Sequence, residues 1–377
     1  MKRFRRTAVA VAGAALVVGP ATSASAGGPG GHHDGHHGGD DAVTTIATGL
    51  DGPRQLSEYP GDRLLVAESD SGEVSAVAQS TGVVETLLSG LYSPQGVDHA
   101  DGRLYVAVGG PPPPDAGGPP PPPGAAFASL LVAEPGGGVL ETIDLEAHEL
   151  ADNPDGQVQF VDGVPVDTLS NPFAVLAQEG RVLVADAGAN AVLSVDPHTG
   201  EVSTFFVPPV VTPDEVAACG DGFNNPGTVG CDPVPTGIAE GPDGLLYVST
   251  LGSEVPGAAR VYVLDWYGDV VDVIEGLTSA TGVAVDEHGT VYVSDVVEGA
   301  PMGEGPPPAG FDPATVGEIT RIDSDGSRST SQVTMPTGLV VEDGDLYASA
   351  WSIAGFLGIP GAGEVVRVGE GTFTPTD

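Results

Sequence analysis

The residues of this chain best placed to do chemistry are oxygen-bearing side chains at the ends of short apolar runs. Asp186 and Asn190 bracket a small-residue turn in "VLVADAGANAVLSVD" (Val182–Asp196), Glu68 ends "LLVAE" and Asp295 ends "VYVSD". Three or four such oxygens converging on one point would hold a divalent cation, with Ca²⁺ the natural choice for carboxylate and amide ligands. An Asp that ends a strand can instead accept backbone N–H bonds from the turn after it, a structural task. Equivalent positions elsewhere hold Val108, Thr250 and Ala350, so a ring of oxygens would be broken, which favours the turn reading.

The elements that must position these residues recur. One phrase appears six times: "GPRQLSEYPGDRLLVAES", "SPQGVDHADGRLYVAV", "NPFAVLAQEGRVLVADA", "PTGIAEGPDGLLYVST", "ATGVAVDEHGTVYVSD" and "PTGLVVEDGDLYASAW". Further strands such as "VYVLD" and "EVVRV" follow the copies, giving about four strands per unit with Gly/Asp turns between them. Four-stranded units repeated around an axis make a β-propeller, so the prediction is an all-β, six-bladed propeller with four antiparallel strands per blade. A β-solenoid fits less well, because the units are long and irregular. The strand "AVTTIATGL" (Ala42–Leu50) has no inner strands before it. It reads as the outer strand of the sixth blade, closing the ring and covering an open edge.

With strands lettered A to D from the axis outward, the A–B and C–D turns share one face and the B–C and D–A connections share the other. The long insertions, at about 109–126, 146–170, 207–234 and 297–317, with shorter ones at 251–258 and 352–363, are all B–C or D–A connections. Loops presented together by a rigid scaffold carry function. The residues that begin the A strands, Arg54, Gln95, Phe173, Thr236, Thr281 and Thr337, are the candidates for lining a ligand pocket at the axis, with Trp351 nearby in the sixth copy.

The remaining features bound the setting. Residues 1–26 read as an export signal: Lys2, Arg3, Arg5 and Arg6 precede an apolar run too short to span a bilayer, and a cleavage point lies between Ala26 and Gly27. The Arg5–Arg6 pair leaves both a twin-arginine and a general secretory route open. Residues 27–41 read as a Gly/His/Asp-rich tether, and 42–377 as one propeller domain. No other run reaches spanning length, and the expected product is a secreted monomer. Only eight of the 12 basic residues lie beyond the signal, all arginine, against 52 acids. Such a charge repels nucleic acid and anionic membranes, and the lack of Lys excludes Schiff-base chemistry.

Cys219 and Cys231 in an exported chain are expected to pair, closing a turn-rich loop worth about 3 kcal/mol by chain entropy. That loop also offers Asp221, Asn224 and Asp232 as oxygen ligands for Ca²⁺. The tract "GGHHDGHHGGDD" could capture Zn²⁺ or Ni²⁺, but its glycine spacing lacks fixed geometry. His99, His198 and His288 fall on the plain face, and His148 is expected to face solvent on a short helical turn, so no catalytic residue is assigned. Serine-nucleophile motifs, P-loops and dinucleotide fingerprints are absent.

The phrases "LEAHELADNPDG…SNPFAVLAQEGRVLVADAGANAVLSVD", "FFVPPVVTPDEV…VPTGIAEGPDGLLYVSTLGSEVPGAARVYVLD" and "TSATGVAVDEHGTVYVSD" resemble the ScyD/ScyE family of exported bacterial propellers, over roughly Val43 to Val368. The composition is similar to that of actinobacterial proteins. The resemblance implies a six-bladed, NHL-like propeller and brings no catalytic residues. The proline-rich insertion and the Cys219–Cys231 loop depart from the pattern. Two functions stay open: a binding or scaffold module whose ligand or protein partner sits on the B–C/D–A face, and a divalent-metal-dependent lactonase or esterase with its site at the axis. A cell-wall or polysaccharide binder is a third.

Overall fold

The computed structural model describes residues 41–111, 121–157, 160–161, 164–165, 170–221, 230–301, 308 and 310–376. The expected signal with Ala26 and Gly27, the tether through residue 40, Asn224 and the middle of the proline-rich insertion lie outside them.

Six antiparallel sheets form a ring. The inner strands are Pro53–Tyr59, Pro94–Ala100, Pro172–Gln178, Pro235–Glu240, Ala280–Val285 and Leu339–Glu342. Each begins its sheet in the order A-B-C-D, and neighbouring inner strands touch in a closed circuit from the first blade back to the sixth. The sixth sheet takes its outer strand from Val43–Leu50, which pairs Val43 with Val368 and Leu50 with Gly363. The expected architecture and its closure are therefore those of the molecule. One addition was not foreseen. After the sixth blade the chain crosses to the fifth, where Thr374–Pro375 pairs with Ser329 and Thr330 as a fifth strand.

The core is divided into six wedges, one between each pair of blades. Leu65, Val74 and Ala76 of the first blade meet Val97, Leu104 and Leu131 of the second, and Leu56, Leu64 and Val66 meet Tyr347 and Val365 of the sixth. Both faces of a B strand are thus covered, which explains why "LLVA" within Arg63–Glu68 is an unbroken apolar run rather than an alternating one. Among the described residues no helix is long and apolar enough to cross a membrane.

At the axis the inner strands approach closely. Gly recurs at one position of the inner-strand phrase in four blades: Gly96, Gly237 and Gly282 are third in their A strands, and Gly338 stands just ahead of Leu339. A Cβ at Gly237 would lie 2.8 Å from Thr281 O, and one at Gly96 equally near Phe173 O. At Gly282 it would collide with Thr337 O, and at Gly338 with Arg54 O. In each case backbone of the next blade is an obstacle, joined at Gly96 by Gln55 Oε1 and at Gly237 by Ser249 Oγ. Gly282→Ala is therefore expected to destabilise the protein by about 1–3 kcal/mol, an overpacking cost. Urea unfolding would read this, and unchanged stability would contradict the seam.

Candidate functional site

Three of the expected pocket residues hold the seam. Thr236 Oγ1 donates to Ala280 O (2.8 Å), Thr281 Oγ1 to Pro336 O (3.2 Å) and Thr337 Oγ1 to Pro53 O (3.2 Å), each acceptor lying in the next blade. The serines of "LYVST" and "VYVSD" repeat the link, with Ser249 Oγ donating to Thr281 O and Ser294 Oγ to Thr337 O. In blades one to three the same position holds Arg54, Gln95 and Phe173. Arg54 Nε donates to Ser69 Oγ (3.1 Å), Gln95 Nε2 donates to Ser93 Oγ (2.7 Å) and Phe173 is buried. Trp351 packs beside Val296, Val316, Met335 and Ile353.

The four candidate metal ligands are not brought together. Asp186 is fully buried and accepts from Ser170 Oγ (2.6 Å), Asn171 N (2.7 Å), Gly188 N and Ala189 N (3.1 Å each). Glu68 accepts from Ser75 Oγ and Asp51 N. Asp295 accepts from Val297 N and Glu298 N. Asp186 and Asp295 thus serve the turns that follow them, and Glu68 and Asp186 also hold the connection that precedes their blade's inner strand. Asn190 instead joins two insertions: its Nδ2 donates to Asp155 and its Oδ1 accepts from Val234 N. Among the described residues no three His, Cys, Asp or Glu side chains form a metal-binding group.

The insertions do engage one another on their shared face. Cys219 and Cys231 are disulfide-bonded and pack with Val211 against Val255 and Ala258 of the fourth B–C loop. Asp232 accepts from Gln157 Nε2 (2.6 Å), tying the two long D–A connections together. Asp221 ends a short 3-10 turn, Ala217–Asp221. His148 differs from expectation. Its side chain is only 10% exposed, because Nδ1 meets Asp152 (3.0 Å) and Nε2 meets Thr204 Oγ1 (2.9 Å), so the helix Glu146–Asp152 lies against the third blade's outer strand.

The principal cavity runs along the axis, about 600 Å³ in volume. Phe173, Thr236, Thr281 and Thr337 stand at its inner end, and it extends to the A–B turn residues Pro60, Gly61 and Asp62. Gln55 occupies the position that is Gly in four other blades. Its Oε1 accepts from Val97 N (3.1 Å) and Val175 N (2.8 Å), so this one side chain links three blades. Toward the A–B turns the wall carries Glu58, Asp62, Asp98, Glu240 and Glu342, with His99 edge-on to Tyr59 at 5.1 Å. Among the described residues no Lys or Arg lines it. These acids were not singled out from the sequence, although "QLSEY", "GVDHA", "GIAE" and "VVED" place four of them near the end of an A strand and Asp62 lies in the turn that follows one. In a chain with 52 acids they read as ordinary surface.

No family model and no curated protein matches the chain. Solved structures do. One is regucalcin, a calcium-binding protein from Agrobacterium tumefaciens, at 11% identity over 87% of this chain and 93% of that one, TM-score 0.51. A gluconolactonase from Xanthomonas campestris gives 12% identity over 87% and 89%, TM-score 0.50. A chain of the nidogen/laminin complex gives 12% over 84% and 92%, TM-score 0.50. Identities this low show a shared six-bladed propeller fold and nothing finer.

Burial and crowding set the charge of the axial acids. Burial pushes Asp98 up to about 6, with Glu58 adding to the rise. Burial pushes Glu342 up to about 7, helped by Glu58, Asp343 and Asp62. Burial and Asp343 also raise Glu58. Elsewhere burial lifts Asp232 to about 6 and Asp295 to about 7. A carboxyl whose folded pKa exceeds its unfolded value near 4 takes up protons on folding, so its contribution to stability grows as pH falls through the folded pKa. The Tm should therefore rise between pH 8 and pH 6, and Glu342→Gln should raise it at pH 8 while flattening the profile. Calorimetry showing a flat or falling wild-type profile would contradict this assignment.

Proposed function

We propose that this chain is an exported binding module that takes an organic cation in its axial cavity. The observation that carries the reading is the wall itself: five carboxylates and, among the described residues, no Lys or Arg, with Glu58, Asp98 and Glu342 lifted by burial and by neighbouring acids. Such a wall lowers its own energy by admitting positive charge. Carboxylates spread around a cavity rim suit separated amines better than a single metal ion, which needs its oxygens on one point. The insertion-bearing B–C/D–A face is the surface we assign to a protein or cell-wall partner. The ring closes within one chain, so a monomer suffices. The NPDG…SNP spacing supports kinship with the ScyD/ScyE propellers, and the disulfide supports an extracellular setting.

Spermidine is the probe. Titration calorimetry at low ionic strength should give saturable binding, weakened at least about tenfold in the double variant Glu58→Gln/Glu342→Gln, a loss of about 1.4 kcal/mol. No spermidine binding, or binding indifferent to those substitutions, would overturn the reading.

A hydrolase is the second reading, favoured by one observation. Asp98 near 6 and Glu342 near 7 are carboxyl groups poised to exchange protons at neutral pH, as general acid–base catalysis requires. A six-bladed neighbour is named a gluconolactonase. Turnover of gluconolactone that requires Glu342 and a divalent cation would establish it, and the ligands of that cation would then differ from the set Glu68, Asp186, Asn190 and Asp295.

A further inference from the structure

The opposite end of the axis carries positive charge. Arg54 starts the first inner strand, just beyond the inner end of the cavity and on the insertion-bearing side. Only 5% of it is exposed. Its Nε donates to Ser69 Oγ, and among the described residues its four terminal N–H bonds have no acceptor and no carboxylate lies within ion-pair distance. Arg260 is equally buried and shows the usual solution: Gly257 O, Glu215 and Glu275 surround it. A buried cation with an incomplete complement is costly unless something else pairs with it.

The surroundings narrow what that partner is. Asp70 is near enough to favour the charged guanidinium, but its Oδ1 is engaged by Ser69 Oγ and it makes no direct ion pair with Arg54. Asp70 is held in place, because a Cβ at Gly52 or Gly355 would strike it. Arg54's terminal nitrogens are not among the sealed polar atoms without partners, unlike Nη2 of Arg181, so they keep a path to solvent. Phe356, 47% exposed, covers the guanidinium at 5.8 Å from the ring centre. Gln95, which holds the same position in the neighbouring inner strand, also has an unpartnered oxygen, Oε1.

We propose that Arg54 is the anchor of a second ligand site, which takes the carboxylate end of an organic acid between its terminal N–H groups, with the acid's apolar body against Phe356. A guanidinium with both terminal nitrogens free presents the fork that a carboxylate fits bidentately. A monoanion is favoured over a phosphate dianion, because Asp70 stands beside the site and the chain is strongly acidic overall. A side chain only 5% exposed is reached by a ligand's tip rather than its body. That tip belongs either to a free acid or to the C-terminus of a peptide.

Benzoate and its neutral isostere benzamide test the site on the whole chain, with N-benzoylglycine as the peptide-like arm. Calorimetry should show benzoate or benzoylglycine binding and benzamide failing to bind. Arg54→Met should weaken the acid at least about tenfold, Arg54→Lys should recover only part of that loss, and Asp70→Asn should tighten it. Preference for benzoylglycine assigns the site to a peptide terminus, and preference for benzoate to a free acid. Should Arg54→Met fail to fold, the acid–amide comparison and Arg54→Lys still decide. Equal binding of benzoate and benzamide, no binding of either acid, or full affinity in Arg54→Lys would overturn the proposal.

Discussion

The closeness of the inner strands is the constraint from which the rest of this molecule follows. Four glycines at one position of the A strands let the backbone of one blade lie against the next, and threonine and serine hydroxyls then bridge the gap. A hydroxyl is the right group here. It is small, and by donating to a backbone carbonyl it is itself satisfied inside an apolar wedge. Where the pattern lapses the seam is made by other means. Gln55 replaces a glycine by reaching two neighbouring strands at once, and Ser57 Oγ donates to Val97 O at 2.9 Å. The first three blades are therefore joined by longer side chains than the last three.

This division shapes the axis. Blades four to six present threonines whose hydrogens are already committed, so they contribute wall but little recognition. Blades one to three supply Arg54, Gln95 and Gln55, which retain or redirect polar capacity. The carboxylates sit at the other end, where the A strands run out into turns and no seam is needed. A cavity thus acquires an acidic mouth on the plain face and a guanidinium behind its closed end. The long insertions, tied together by the disulfide, by Asn190 and by Asp232, build up the side on which Arg54 lies.

Much of this architecture was legible in the residues. Proline and glycine punctuation gave the phase of each repeat, so the inner strands begin at Pro53, Pro94, Pro172 and Pro235 as the phrases imply. The closing strand was legible because it lacked inner partners of its own. The turn role of Asp186 was legible too, since an acid after an apolar strand has backbone amides within reach. What a repeat cannot disclose is which atom of the next blade a side chain will meet. Thr236, Thr281 and Thr337 were placed correctly at the axis, yet their acceptors are backbone carbonyls that no side-chain pattern announces. The rim acids were hidden by their abundance, and the pairing of Thr374–Pro375 by its brevity. His148 was misjudged because its cover, Thr204, belongs to a different strand some fifty residues away.

The way the ring closes also decides how the molecule bears load. Val43 lies opposite Val368, so the chain enters and leaves the sixth blade at the same end of one antiparallel pair. Tension between a tether ahead of Val43 and the body of the protein would open that pair from its tip, bond by bond, rather than shear all its bonds together. The tail beyond Val368 pairs instead with Ser329 and Thr330 on the outer edge of the fifth blade, outside this pair. A propeller fastened in this way has one designated place to come undone.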